Sequence, residues 1–202
     1  MARPRSDIAP RILTAARQRF LEEGVAGASL RKIAEDAGTN IGMIYYYFPT
    51  KDDLFAAVLE EIYEGFLADF EAILDSEGPL DQRLRRLSTR IGEMSEPEFA
   101  VFRISVREAL VSTDRLGKLA DRFMRGHVPV ILSALQKSVG AGELRRDIPF
   151  PMIVIAVAVL VAAPQIVRRR ALANVPGLAR VLPGPADLAR HMVGILFHGV
   201  AN

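Results

Sequence analysis

Apolar residues recur three and four positions apart along most of this chain, and no stretch keeps the strict alternation of a half-buried strand. The pattern is sharpest between Ala28 and Lys51. Ser29 is placed to cap a helix whose apolar face is Leu30, Ile33, Ala34 and Ala37. Gly38 ends that helix and Asn40 caps the next, in which Ile44, Tyr47 and Phe48 turn inward and Pro49 gives the stop. Ile41, Gly42, Met43, Tyr45 and Tyr46 are left on or near the open side. Upstream, a first helix starts near Ser6 or Asp7, since Pro10 is tolerated only in a first turn. Downstream, Thr50 and Asp53 resemble a capping box opening a long helix to about Asp75, with Leu54, Val58, Ile62, Phe66 and Phe70 on its apolar side. Further helices are predicted over Leu80 to Met94, Glu98 to Ser112, Asp114 to Val139, Phe150 to Leu172 and Ala186 to His198, with Pro129 kinking or splitting the third of these.

Two short helices over a tight turn form the helix-turn-helix pattern, whose second helix enters the major groove of DNA. The exposed residues suit that use. Thr39 and Asn40 can hydrogen-bond base edges or phosphates, Gly42 permits close backbone approach, and Tyr45 and Tyr46 can offer hydroxyls to phosphate. A Tyr-Tyr-Tyr-Phe run also suits the core and rim of an ordinary helical domain, and spacing alone leaves both readings open.

The segment IAPRILTAARQRFLEEGVAGASLRKIAEDAGTNIGMIYYYFPTKDDLF resembles the N-terminal domain of the TetR family of transcriptional regulators. Ile12, Leu13, Ala15, Ala16 and Phe20 match the pattern of its first helix, which ends at a glycine, here Gly24. Ser29, Ile33, Ala34, Ala37, Gly38, Tyr45, Tyr47, Phe48 and Lys51 match its later anchors. The resemblance implies DNA contacts from Ser29, Arg31, Thr39, Asn40, Ile41, Gly42, Tyr45, Tyr46 and Lys51. Many relatives carry lysine or another polar residue where this chain has Ile41, which can touch a thymine methyl or leave that base unread. Arg31 is a candidate guanine reader, and a solvated surface arginine is the alternative. Arg3 and Arg5 form a candidate arm for the minor groove or the phosphates. The run Gly142-Glu143-Leu144-Arg145-Arg146-Asp147 resembles a turn common before the eighth helix of the family.

The expected fold is therefore all-α, with about nine helices: a three-helix DNA-binding head over residues 1–50 and a larger effector-binding and dimerisation domain over 51–202. The family implies a two-state switch in which a small molecule enters the helical body and lowers DNA affinity. Candidate pocket residues are Phe66, Phe70, Phe102, Val106, Phe123, Met124, His127, Ile155 and Val159, with Arg103, Arg107 and Gln165 as polar contacts, and they suit a mostly apolar effector. A two-fold protein suits a palindromic operator, so a homodimer is expected through Leu188, Met192, Ile195 and Leu196 and part of the Ile153 to Val161 face.

Composition narrows the classes further. The 202 residues hold 26 Lys plus Arg against 24 Asp plus Glu, too even to name a polyanionic partner. The absence of cysteine excludes disulfides, thiolate metal sites and cysteine nucleophiles. No apolar signal segment opens the chain, and a cytoplasmic protein is expected. The run Met152 to Val167 is short of the roughly 20 apolar residues of a spanning helix and contains Pro164 and Gln165, so it reads as a central helix buried on several sides rather than a membrane segment. His127, His191 and His198 form no metal motif, and no phosphate loop occurs, so neither enzyme, metal nor cofactor is expected. A helical dimer that scaffolds proteins without DNA is the alternative from another class.

Overall fold

The computed structural model describes residues 7–175, 177–178 and 181–198, which form ten helices. They are α1 (Ile8–Gly27), α2 (Leu30–Asp36), α3 (Ile41–Tyr47), α4 (Lys51–Leu74), α5 (Leu80–Gly92), α6 (Glu96–Val111), α7 (Thr113–Met124), α8 (His127–Gly140), α9 (Phe150–Asn174) and α10 (Pro185–His198). No strand occurs among the described residues. The candidate arm of Arg3 and Arg5 lies outside them, as do Pro176, Ala179 and Arg180 of the loop before α10.

Two expectations are corrected. The helix over Asp114 to Val139, expected to kink or split at Pro129, is split into α7 and α8, which accounts for the tenth helix, but not at Pro129. The break is at Arg125 and Gly126, ahead of Pro129, which falls in the first turn of α8 where its missing N–H costs nothing. Helix α6 starts two residues earlier than expected because Ser95 caps it: Glu98 N–H donates to Ser95 Oγ at 3.4 Å, Ser95 N–H donates to the Glu98 carboxylate at 2.6 Å, and Pro97 is accommodated in the first turn.

The chain divides into two compact units, one of residues 1–66 with 95–123 and the other of 67–94 with 124–202. The first therefore includes α6 and most of α7 together with the expected head. Its core is Ile12, Ala16, Phe20, Ile33, Ala34, Ile44, Leu54, Phe55 and Val58, with Phe99 and Ile104 from α6. Phe20 and Phe55 meet edge to face, 6.3 Å between ring centroids.

In the second unit, Leu80, Leu84, Leu87 and Ile91 line one face of α5 and pack on α9 and α10. Helix α9 turns Ile153, Val157, Val161 and Gln165 inward. The small side chains of Ala189 and Val193, both fully buried, let α10 approach closely. A polar cluster sits in this core: Ser88 Oγ donates to the Val161 carbonyl at 2.8 Å, and Gln165 Nε2 donates to Ser88 Oγ at 3.2 Å and to the Pro185 carbonyl at 2.8 Å. In the turn before α9, the Glu143 carboxylate accepts the Leu80 N–H at 2.5 Å, which caps the start of α5.

Helix α9 keeps close to its expected span and departs from the sequence reading in its burial. It continues through Pro164 to Asn174, 25 residues, and among the described residues it is the one helix long and apolar enough to cross a membrane. It is not buried all round: Met152, Ile155 and Val159 form an exposed apolar stripe opposite Ile153, Val157 and Val161.

Candidate nucleic-acid interface

The head is set by its caps. Ser29 Oγ accepts the Lys32 N–H at 3.5 Å and Asn40 Oδ1 accepts the Met43 N–H at 3.1 Å, so α2 and α3, seven residues each, begin on side-chain acceptors. Such caps stabilise a helix by about 1 kcal/mol each. Between them Gly38 takes φ of +62°, the left-handed conformation that a β-carbon disfavours, and Arg11 donates to its carbonyl at 3.2 Å.

This turn fixes which side of α3 is open. Ile44 is fully buried, whereas Ile41, Tyr45 and Tyr46 are 42%, 51% and 76% exposed. Gly42 and Asn40 are exposed beside them and Thr39 is half-buried. The expected inward pair behaves less simply: Tyr47 and Phe48 are only half-buried, and Tyr47 presents its edge to Tyr46 at 5.1 Å. Arg31 projects from α2, with its guanidinium 3.6 Å from Glu35 and both side chains largely in solvent, a pair that holds it only weakly. Lys51 is more constrained, since its ammonium donates to the Ala26 carbonyl at 2.9 Å and so ties the start of α4 to the end of α1. The ends of two helices thus place Ile41, Gly42, Tyr45 and Tyr46 on one open face, with Arg31 and Lys32 exposed on α2.

What holds this face in place was not evident in the sequence. Helix α1 breaks at Gly24, whose φ of +77° opens the backbone there. Two consecutive residues of α6 serve the break: Arg107 donates to the Glu23 carbonyl at 3.3 Å, and the buried Glu108 accepts the Val25 N–H at 3.0 Å. Glu108 also pairs with Arg115 at 3.0 Å, Arg115 with Asp52 at 3.2 Å, and Asp52 with Lys118 at 2.9 Å. The Lys118 hydrogen bond, aided by Arg115, holds the Asp52 carboxyl below the usual carboxylate range. Near the other end of α7, Arg122 pairs with Glu60 and lies over the Tyr63 ring, 4.2 Å from its centroid. The one available signal for Glu108 was its spacing of four from Ile104, which puts a carboxylate on an inward helix face.

The candidate pocket residues divide between the two units: Phe66, Phe102, Arg103, Val106 and Phe123 belong to the first, and Phe70, Met124, His127, Ile155, Val159 and Gln165 to the second. Within the first, Phe102 stacks on Phe99 and Phe123 meets Tyr63, while Val106 is exposed. Within the second, Phe70 meets His127 edge-on at 5.9 Å, Met124, Ile155 and Val159 are exposed, and Gln165 is committed to Ser88 and Pro185. Arg107, also a candidate, is bound to Glu23. On α10, Leu188, Met192, Ile195 and Leu196 are half-buried, beside the inward Ala189 and Val193. Among the described residues no group of three or more His, Asp and Glu side chains is arranged to hold a metal ion.

Comparison with known proteins agrees with this geometry. Residues 12–58 match the model of bacterial regulatory proteins of the tetR family. The HTH-type transcriptional repressor NicS of Pseudomonas putida is 42% identical over 91 residues, covering 44% of this chain and 42% of the repressor. The HTH-type transcriptional regulator RutR of Escherichia coli is 41% identical over 69 residues, 34% of this chain and 32% of the regulator. The chain thus matches less than half the length of these curated relatives, all of it a likeness of regulators rather than enzymes. Over nearly the full length the likeness is one of fold: the transcriptional regulator FadR of Bacillus subtilis, solved in complex with stearoyl-CoA, superposes with a TM-score of 0.75 at 16% identity, covering 95% of this chain and 99% of that one. Through its helix-turn-helix head, residues 12–58, this chain is similar to the tetR family of bacterial regulatory proteins.

Proposed function

We propose that the chain is a sequence-specific transcriptional regulator that binds a palindromic double-stranded operator as a homodimer in the cytoplasm and acts as a repressor released by a small, mostly apolar effector. The observation that carries the DNA reading is the open face of α3, where Ile41, Gly42, Tyr45 and Tyr46 project while Ile44 anchors the helix. Ser29, Arg31, Thr39, Asn40 and Lys51 complete the expected contact set, with Ser29 and Asn40 acting first as caps. Residues 1–50 read DNA, and residues 51–202 take the effector and the second subunit.

Repression is supported by the name of the NicS relative. The homodimer is supported by the exposed stripe Met152, Ile155 and Val159 on α9, whose neighbour α10 carries the half-buried Leu188, Met192, Ile195 and Leu196. Exposed apolar surface of this kind is costly in water unless a partner covers it. An apolar effector is supported by the aromatic candidates that are not exposed, Phe66, Phe102 and Phe123 in the first unit and Phe70 and His127 in the second. For release, the effector must prefer the conformation that fits DNA poorly, since equal affinity for both states shifts nothing.

The test is binding of the purified chain to DNA flanking its own gene, across a series of salt concentrations, beside Tyr46→Phe. That substitution removes one exposed hydroxyl, whereas Lys51→Ala also breaks the bond to Ala26. Site-specific binding that weakens steeply with salt, and is reduced by Tyr46→Phe without loss of stability, supports the regulator. Equal binding to every sequence, indifferent to the substitution, favours a protein scaffold instead.

A further inference from the structure

We infer that the chain reads thymine at one fixed position in each operator half-site, through contact between the Ile41 side chain and the thymine C5 methyl. The inference rests on the regulator reading above and specifies how that site selects its sequence. Helix α3, Ile-Gly-Met-Ile-Tyr-Tyr-Tyr, contains no charged and no amide side chain. Readers of guanine and adenine edges are chiefly arginine, lysine, asparagine and glutamine, so hydrogen-bond readout from this helix is confined to tyrosine hydroxyls. The amide nearest to it, that of Asn40, has its oxygen committed to the Met43 N–H.

In a helix-turn-helix the N-terminal residues of the second helix approach the bases. Here those residues are Ile41 and Gly42, and Gly42 has no side chain to compete for the groove. Ile41, 42% exposed, is the branched apolar group at that end, while Ile44, one turn on, is fully buried. In the major groove the thymine methyl is the apolar feature that distinguishes one base pair from the rest, so an aliphatic side chain held there selects for it.

The experiment selects operator sequences from a random duplex pool with the full chain, then replaces each thymine of the half-site in turn by uracil, which deletes the methyl and preserves pairing. The expected result is one position per half-site where uracil weakens binding by about fourfold, the value of one buried carbon. Ile41→Ala, altered only at an exposed position, should bind the thymine operator more weakly and be indifferent to uracil at that position. A cytosine–guanine pair there should bind poorly, and methylation of that cytosine at C5 should recover part of the loss. Wild-type indifference to uracil at every position, or unchanged uracil sensitivity in Ile41→Ala, overturns the inference while the regulator reading stands. Failure of the pool to yield any preferred sequence overturns both.

Discussion

The Glu108 carboxylate, 1% exposed on α6, accepts the Val25 N–H at 3.0 Å where α1 breaks at Gly24. A buried amide without a partner costs free energy, and Glu108 is also the buried half of an ion pair with Arg115. Glu108→Ala should therefore destabilise the protein by about 1–3 kcal/mol, since it leaves the Val25 amide unanswered and Arg115 with Asp52 as its remaining carboxylate partner. Glu108→Gln keeps an acceptor for Val25 and should cost less. Urea unfolding of the two variants checks this, and equal losses would show that the Val25 bond contributes nothing of its own.

A second prediction concerns acid. Asp52 is held below the usual carboxylate range by the Lys118 hydrogen bond and Arg115. A carboxyl whose pKa is lower in the folded state stabilises the fold above its unfolded value, about 4, and that stability is lost as pH falls through the folded value. Asp52→Asn should thus be less stable than the wild type at pH 6, and the gap should close below about pH 4. With its side chain 33% exposed, solvent screening keeps the gap to about 1 kcal/mol or less. A gap that persists unchanged at pH 2 would place the effect in packing instead of charge.

The head was the legible part of the chain because its structure is local. Ser29, Gly38 and Asn40 act through residues three or four positions away, so caps, turn and the inward Ile44 follow from spacing. The Thr50 and Asp53 capping box was readable for the same reason: Asp53 N–H donates to Thr50 Oγ1 at 3.1 Å and Thr50 N–H to Asp53 at 3.0 Å. Long-range choices were not readable. The spacing of four from Ile104 puts Glu108 on an inward face, but nothing local names its partner, 83 residues back in sequence. Nor does an all-apolar helix announce its inward face: Ile153 and Ile155 look alike in α9, yet the first is buried and the second exposed, because α5 and α10 take one side. Gln165, a candidate ligand contact by sequence, has its amide nitrogen on Ser88 and Pro185, partners that no local pattern names.

That difference between two isoleucines yields a third prediction. Ile155→Asp adds a charge to the exposed stripe of α9, and Ile153→Asp buries one against α5. If the stripe is the homodimer surface, Ile155→Asp should give a folded monomer with much weakened operator binding, since one head grips only one half-site. Ile153→Asp should instead unfold the chain, because an unpaired buried carboxylate costs several kcal/mol. Sedimentation equilibrium with circular dichroism separates the two. A dimeric Ile155→Asp would remove α9 from the interface and leave the α10 residues as its candidates.

The polar cluster in the second unit also makes a demand on Gly92. A β-carbon there would overlap Gln165 Oε1 and lie 2.8 Å from Gln165 Cδ and 2.8 Å from Pro185 Cβ. Gly92→Ala should therefore lower stability by about 1–3 kcal/mol through overpacking, despite the higher helix propensity of alanine. Gln165→Ala should be destabilising for a different reason, since it removes two hydrogen bonds and opens space beside Ser88. The two losses are coupled in space: with Gln165 shortened, the alanine at 92 has fewer atoms to displace. The double variant should then lose less than the sum of the singles, by about 0.5 kcal/mol or more. Relief stays partial because Pro185 remains. Strict additivity in thermal unfolding would show that the α5 turn relieves the clash by moving away from α10, and that Gln165 does not set the approach of these helices.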